Sequence, residues 1–134
     1  MLKKNLFRIL FVSWLVFVTF ASLFSFELEE EDSLIDIPNF DKVVHFTFYF
    51  VMVISGIWAI REYAKKPVKL SKVMIYMVLF AVVYGIIIEV VQHTATENRE
   101  GDIFDALANT LGALVGMYVV RTLFSGKWSL KWKH

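Results

Sequence analysis

Asp41, His45 and Tyr49 recur four residues apart, Glu89 precedes Gln92 by three, and Asp102, Asp105 and Asn109 follow at three and four. At roughly 100° per residue each set falls on one helix face. Asp41, His45 and Tyr49 lie within about 80°, with Met52 and Gly56 continuing the stripe; Gly85, Glu89 and Gln92 span about 60°; Asp102, Asp105, Asn109, Gly112 and Gly116 span about 80°. His45 is suited to proton transfer near neutral pH, and Asp41, one turn earlier, is placed to orient it. Glu89 sits inside Ile86-Ile87-Ile88-Glu89-Val90-Val91, where a carboxylate needs a partner such as Arg99, Lys42 or His45. Arg99 and Lys42 are equally suited to hold an anionic group such as phosphate or carboxylate. Asp102 and Asp105 open a helix, where the dipole favours carboxylates, and Asp102 on its own reads as a cap. If the three faces meet, they enclose one polar pocket.

The elements that must position these residues are apolar. The chain has 134 residues, of which 57% are hydrophobic, and a mean hydropathy of +0.59. A soluble domain sits nearer 45–50% apolar, so the sequence reads as an all-α integral membrane protein. Four apolar stretches are expected as helices, at about 6–26, 43–60, 73–91 and 103–123, forming one domain over residues 1–134. The first carries no charge after Arg8 and exceeds the apolar run of a signal peptide, so it reads as a retained helix. It carries only hydroxyls as polar groups and reads as packing and anchor. Short connections suggest an up-down four-helix bundle with no room for a separate soluble catalytic domain.

Charge sets the orientation. Of the 14 basic residues, all but Lys42 and Arg99 lie before or at the start of the first stretch, between the second and third, or at and after the end of the fourth. The positive-inside rule then puts both termini in the cytoplasm and all three polar ladders toward the other side. The acidic run from Glu29 to Asp32 reads as a solvated connector. Pro67 interrupts the basic connection, Ser71 reads as an N-cap of the third helix, and Trp128 and Trp132 read as an interfacial anchor. A net charge of +1 and the lack of any aromatic-basic motif argue against nucleic-acid binding. Cysteine is absent, so no disulfide or thiolate chemistry is available.

Gly112 and Gly116 form a small-xxx-small motif, which serves close contact either within the chain or in a homodimer. A divalent cation on His45, Glu89, Asp102 or Asp105, or chelated by Glu89 with His93 at i+4, is chemically possible. The spacing matches no strict zinc motif, and the sequence reading assigns no metal and no other cofactor.

Read in order, Asp41-Lys42-x-x-His45-Phe46-x-x-Tyr49, Glu89-x-x-Gln92 and Arg99-x-x-Asp102-x-x-Asp105-x-x-x-Asn109-x-x-Gly112-x-x-x-Gly116 resembles the signature of the VanZ-like membrane proteins. The resemblance implies a small multi-pass protein of the bacterial cytoplasmic (inner) membrane, related to proteins associated with resistance to the glycopeptide teicoplanin. It also implies a family site at Asp41, Lys42, His45, Tyr49, Glu89, Gln92, Arg99, Asp102, Asp105 and Asn109. His93 and the acidic run depart from the pattern.

Three functions compete. The first is an extracytoplasmic pocket that binds or modifies a lipid-linked or anionic envelope component. Asp41, His45 and Glu89 would be the catalytic groups; Lys42, Tyr49, Gln92, Arg99, Asp102, Asp105 and Asn109 would contact the ligand. The second is a non-enzymatic accessory protein acting through a partner. The third, a proton-coupled carrier, is disfavoured by the lack of polar residues at the cytoplasmic helix ends and of internal repeats.

Overall fold

The computed structural model describes residues 5–24, 40–95, 103–125 and 132. Four helices account for nearly all of them: α1 (Leu6–Phe24), α2 (Phe40–Tyr63), α3 (Leu70–Ala95) and α4 (Ile103–Leu123). Each is long and apolar enough to cross a membrane, and no strand occurs among the described residues. The shortest, α1, has 19 residues. At about 1.5 Å per residue it matches a hydrocarbon core about 30 Å thick.

Apolar runs understate α2 and α3. The expected 43–60 becomes Phe40–Tyr63, because Asp41 and Lys42 join the first turn and Arg61 and Glu62 the last. The expected 73–91 becomes Leu70–Ala95, taking in Gln92, His93 and Thr94. These polar turns remain helical because the backbone's own hydrogen bonds continue past the apolar segment. Ser71 is therefore inside α3 and is not its cap; Lys69 O accepts the first intrahelical bond, from Val73 N, at 3.2 Å. Pro67 does lie in the connection between α2 and α3, outside both helices. Asn5 begins α1 in the way a capping residue should, its carbonyl accepting from Ile9 N at 3.0 Å.

Contacts between helices do not simply follow chain order. The most extensive is between α2 and α4, which are not consecutive, whereas α1 and α4 barely touch. The two glycines expected to allow close approach explain it. A Cβ on Gly112 would collide with the carbonyl oxygen of Phe46, and one on Gly116 would come 2.9 Å from that of Phe50. Of the two uses their spacing allows, contact within the chain is the one seen here. In lipid no hydrophobic force pushes helices together, so such backbone-to-backbone approach carries much of the packing.

Below this contact lies an apolar core of Met52, Val53, Ile57, Val73, Met77 and Val120. At the end formed by the last turn of α2, Phe7 N donates to Glu62 Oε2 at 2.7 Å, and the Arg61 guanidinium lies over the Phe124 ring. Trp132 packs edge-on against Phe124, and its Nε1 donates to Val68 O at 2.6 Å. It is buried against the α2–α3 connection, where the sequence reading had it on the surface as an interfacial anchor. Trp128 and the acidic run Glu29 to Asp32 lie outside the described residues. Hydroxyls within the helices mostly return to their own backbone, as Ser55 does to Val51 O at 2.7 Å and Thr110 to Ala106 O at 3.0 Å.

Candidate functional site

The three polar stripes meet. α2 buries His45, Tyr49 and Met52; α3 buries Gly85 and Gln92; α4 buries Asp105, Asn109, Gly112 and Gly116. Phe46 and Phe50 lie along Gly112 and Gly116 on α4, so the first turns of α2 and α4 share one end of the bundle. The last turns of α1 and α3 reach the same end, joined by Gln92 Nε2 donating to Ser22 O at 2.7 Å.

His45 is 9% exposed, and its Nδ1 lies 3.1 Å from Asn109 Oδ1. An amide oxygen can only accept, so Nδ1 carries the proton and Nε2 is left facing Asp105 Oδ2 at 4.0 Å. That separation is too long for a hydrogen bond. Asp105 is 2% exposed, and its Oδ1 lies 3.8 Å from Lys42 Nζ. The same ammonium is 3.5 Å from Asp41 Oδ2. Glu89 enters from α3, and one ligand atom from each of His45, Glu89 and Asp105 lies within 4.8 Å of the others. Desolvating carboxylates to this degree is costly unless cations and donors surround them, so the cluster is held by α2, α3 and α4 together.

Gly85 is what lets α3 come close enough. A Cβ there would sit 3.2 Å from both Asn109 Nδ2 and Tyr49 Cε1. Tyr49 is 1% exposed, one turn deeper than His45, and its hydroxyl has no hydrogen-bond partner among the described residues. The arrangement supplies an oriented imidazole, carboxylates on two sides of it, a buried phenol and one ammonium. Those groups are suited to moving a proton or binding a polar head group.

A family model described as VanZ/LLP1 matches residues 2–125. The chain belongs to the VanZ/LLP1 family. No curated protein and no solved structure matches it. The matched span includes all four helices, making this a multi-pass membrane protein of that family.

Within this VanZ/LLP1 chain, Lys42, His45, Glu89, Asp105 and Asn109 are brought together, while other residues expected at the site sit differently. Asp41 pairs with Lys42 and does not orient His45; the orienting group is Asn109, from α4. Gln92 directs its amide nitrogen to the α1 backbone. Arg99 and Asp102 lie outside the described residues. His93 is exposed, one turn beyond Glu89, and the ligand cluster with Glu89 contains His45 in its place.

Sequence reasoning gave α1 little chemistry and so missed what closes this end of the bundle. Ser22 is 4% exposed and supplies the carbonyl that Gln92 uses. Thr19 pairs its hydroxyl with that of Tyr84, which also reaches Leu15 O at 3.3 Å. Trp14 Nε1 donates to Phe48 O at 2.8 Å. The available signal was the spacing of Leu15, Thr19 and Ser22, three and four apart on one helix face.

Proposed function

We propose that this protein binds, and acts on, an anionic or lipid-linked component of the bacterial envelope at the polar end of its bundle, and that this underlies tolerance of glycopeptides such as teicoplanin. The observation that carries the reading is the cluster of Lys42, His45, Glu89, Asp105 and Asn109, with His45, Asp105 and Asn109 buried, drawn from three helices at one end of an otherwise apolar bundle. Ionisable groups inside a membrane are costly, and there they mark sites of binding or proton transfer. His45 with Glu89 handles the proton; Lys42, with Arg99 from the segment between α3 and α4, attracts the anion.

In this reading the chain is an up-down bundle in the cytoplasmic membrane, with both termini in the cytoplasm and the cluster facing outward. The distribution of lysine and arginine supports that orientation. The pairing of Phe7 with Glu62 at the end opposite His45 supports the up-down arrangement of α1 and α2.

The experiment is teicoplanin susceptibility of a sensitive Gram-positive host expressing wild type, His45→Ala or Glu89→Gln at matched membrane levels. Wild type should raise the inhibitory concentration, and both variants should return it to that of the empty host. Full protection by both variants would make the cluster structural and remove the basis of the proposal.

A further inference from the structure

The end of the bundle opposite His45 is rich in cations and in exposed tyrosine. Among the described residues it gathers Arg8, Arg61, Arg121 and the four lysines between 65 and 72, against one carboxylate, Glu62. Glu62 Oε2 accepts from Phe7 N at 2.7 Å. Arg8, Lys72 and Arg121 form no ion pair among the described residues. All three exposed tyrosines lie within two turns of the helix ends found there: Tyr63, Tyr76 and Tyr118, each 66–67% exposed. Of the other two, Tyr49 is buried and Tyr84 half-buried.

Each of these tyrosines has a cation beside it. On α3, Lys72 precedes Tyr76 by four residues; on α4, Arg121 follows Tyr118 by three. All four side chains are exposed, so each pair shares one outward face of its helix. Along the helix axis the cation is nearer the end than the ring, by about 6 Å on α3 and about 4.5 Å on α4. The third pair joins two helices: the Arg8 guanidinium of α1 lies 5.4 Å from the centroid of the Tyr63 ring, at the end of α2. Asn5 Oδ1 accepts one of its N–H groups and its Nε is covered, which leaves its terminal nitrogens for an acceptor from outside. Tyrosine rings settle at the head-group level of a bilayer, so a cation just beyond one sits at the depth of the lipid phosphates.

We propose that this end of the protein holds anionic phospholipid head groups, each phosphate seated on a cation and its tyrosine: Arg8 with Tyr63, Lys72 with Tyr76, and Arg121 with Tyr118. Arg8 is the strongest seat, because stacking on Tyr63 holds a planar fork ready for two phosphate oxygens. The tyrosine hydroxyls donate to phosphate or glycerol-ester oxygens. Lys65, Lys66 and Lys69, exposed in the connection, add attraction without a ring beside them. A lipid satisfies both halves of each pair, since its glycerol and first methylenes cover the outward ring while its phosphate meets the cation. The seats are at the opposite end from the His45 cluster, and they depend neither on the ligand of that cluster nor on which leaflet they face.

The full chain is purified in detergent and given equal amounts of phosphatidylglycerol and phosphatidylcholine with the same acyl chains, and native mass spectrometry counts the lipids it retains. Each cation near an anionic lipid surface contributes roughly fivefold, so wild type should favour phosphatidylglycerol by at least about tenfold. Arg8→Gln with Lys72→Gln and Arg121→Gln should abolish that preference. Lys65→Gln with Lys66→Gln and Lys69→Gln removes the same charge from the connection and should keep most of it. Tyr63→Leu changes no charge and should weaken it about two- to fivefold. The wild-type comparison does not depend on any variant folding, and circular dichroism checks that both triple variants remain helical. Equal retention of the two lipids by wild type would overturn the proposal. Equal losses in the two triple variants would do so as well, since charge alone would then explain the preference. Displacement of bound phosphatidylglycerol by excess glycerol phosphate would make a soluble phosphate the occupant and overturn it too.

Discussion

Asp105 is the least exposed acidic or basic side chain among the described residues, so it leans heavily on its surroundings. It is 2% exposed, with Lys42 Nζ at 3.8 Å and His45 Nε2 at 4.0 Å, and both approach from α2. Removing the ammonium leaves a buried carboxylate with less compensation, whereas removing both charges leaves an apolar contact. Lys42→Met should therefore destabilise the bundle by about 1–3 kcal/mol, and Lys42→Met with Asp105→Leu should recover most of that loss. Chemical unfolding in detergent measures both, and strictly additive losses would show that the two residues are not coupled. Asp105 and His45 can be picked out from the sequence because an ionisable residue in an apolar helix is visible without a structure. Helical spacing offered Asp41 as the group that orients His45, and no spacing rule reveals that Asn109, 64 residues away, is the one hydrogen-bonded to it.

The helix faces at element scale follow from helical arithmetic alone. The stripes of α2, α3 and α4 contain the residues that the structure buries, since a fixed turn per residue is the one thing a helix cannot alter. Which helices press together most closely is a different matter, because it depends on atoms from two segments at once. Glycines could be identified from the sequence, but not the carbonyls they accommodate. Gly112 and Gly56 make the point testable. A Cβ at Gly112 meets the fixed carbonyl of Phe46, while one at Gly56 meets the thioether end of Met77, which can swing away, and the edge of the Phe11 side chain at 3.0 Å, with no backbone atom among its nearest neighbours. Gly112→Ala should lower stability by about 1–3 kcal/mol through overpacking, and Gly56→Ala by under about 1 kcal/mol. Thermal unfolding of the detergent-solubilised variants should rank them in that order; equal losses would mean that α2 and α4 do not approach as closely as described.

For the molecule as a whole, orientation decides which compartment the cluster serves. The polar end contains His45, Asp105 and the last turn of α3, while the opposite end contains Glu62, Arg61 and the lysines between α2 and α3. Positive residues resist translocation, so the proposed orientation puts the lysine-bearing end in the cytoplasm and the cluster outside. The absence of cysteine from the chain permits a direct measurement. Lys66 and Thr94 are both exposed, at opposite ends of α3 and its preceding connection, and each can be replaced singly by cysteine. In intact cells, a membrane-impermeant maleimide should label Thr94→Cys and spare Lys66→Cys, and permeabilised cells should label both. The reverse pattern would turn the site toward the cytoplasm. An envelope component on the outer surface could then no longer be its ligand, although the packing of the three stripes would stand unchanged.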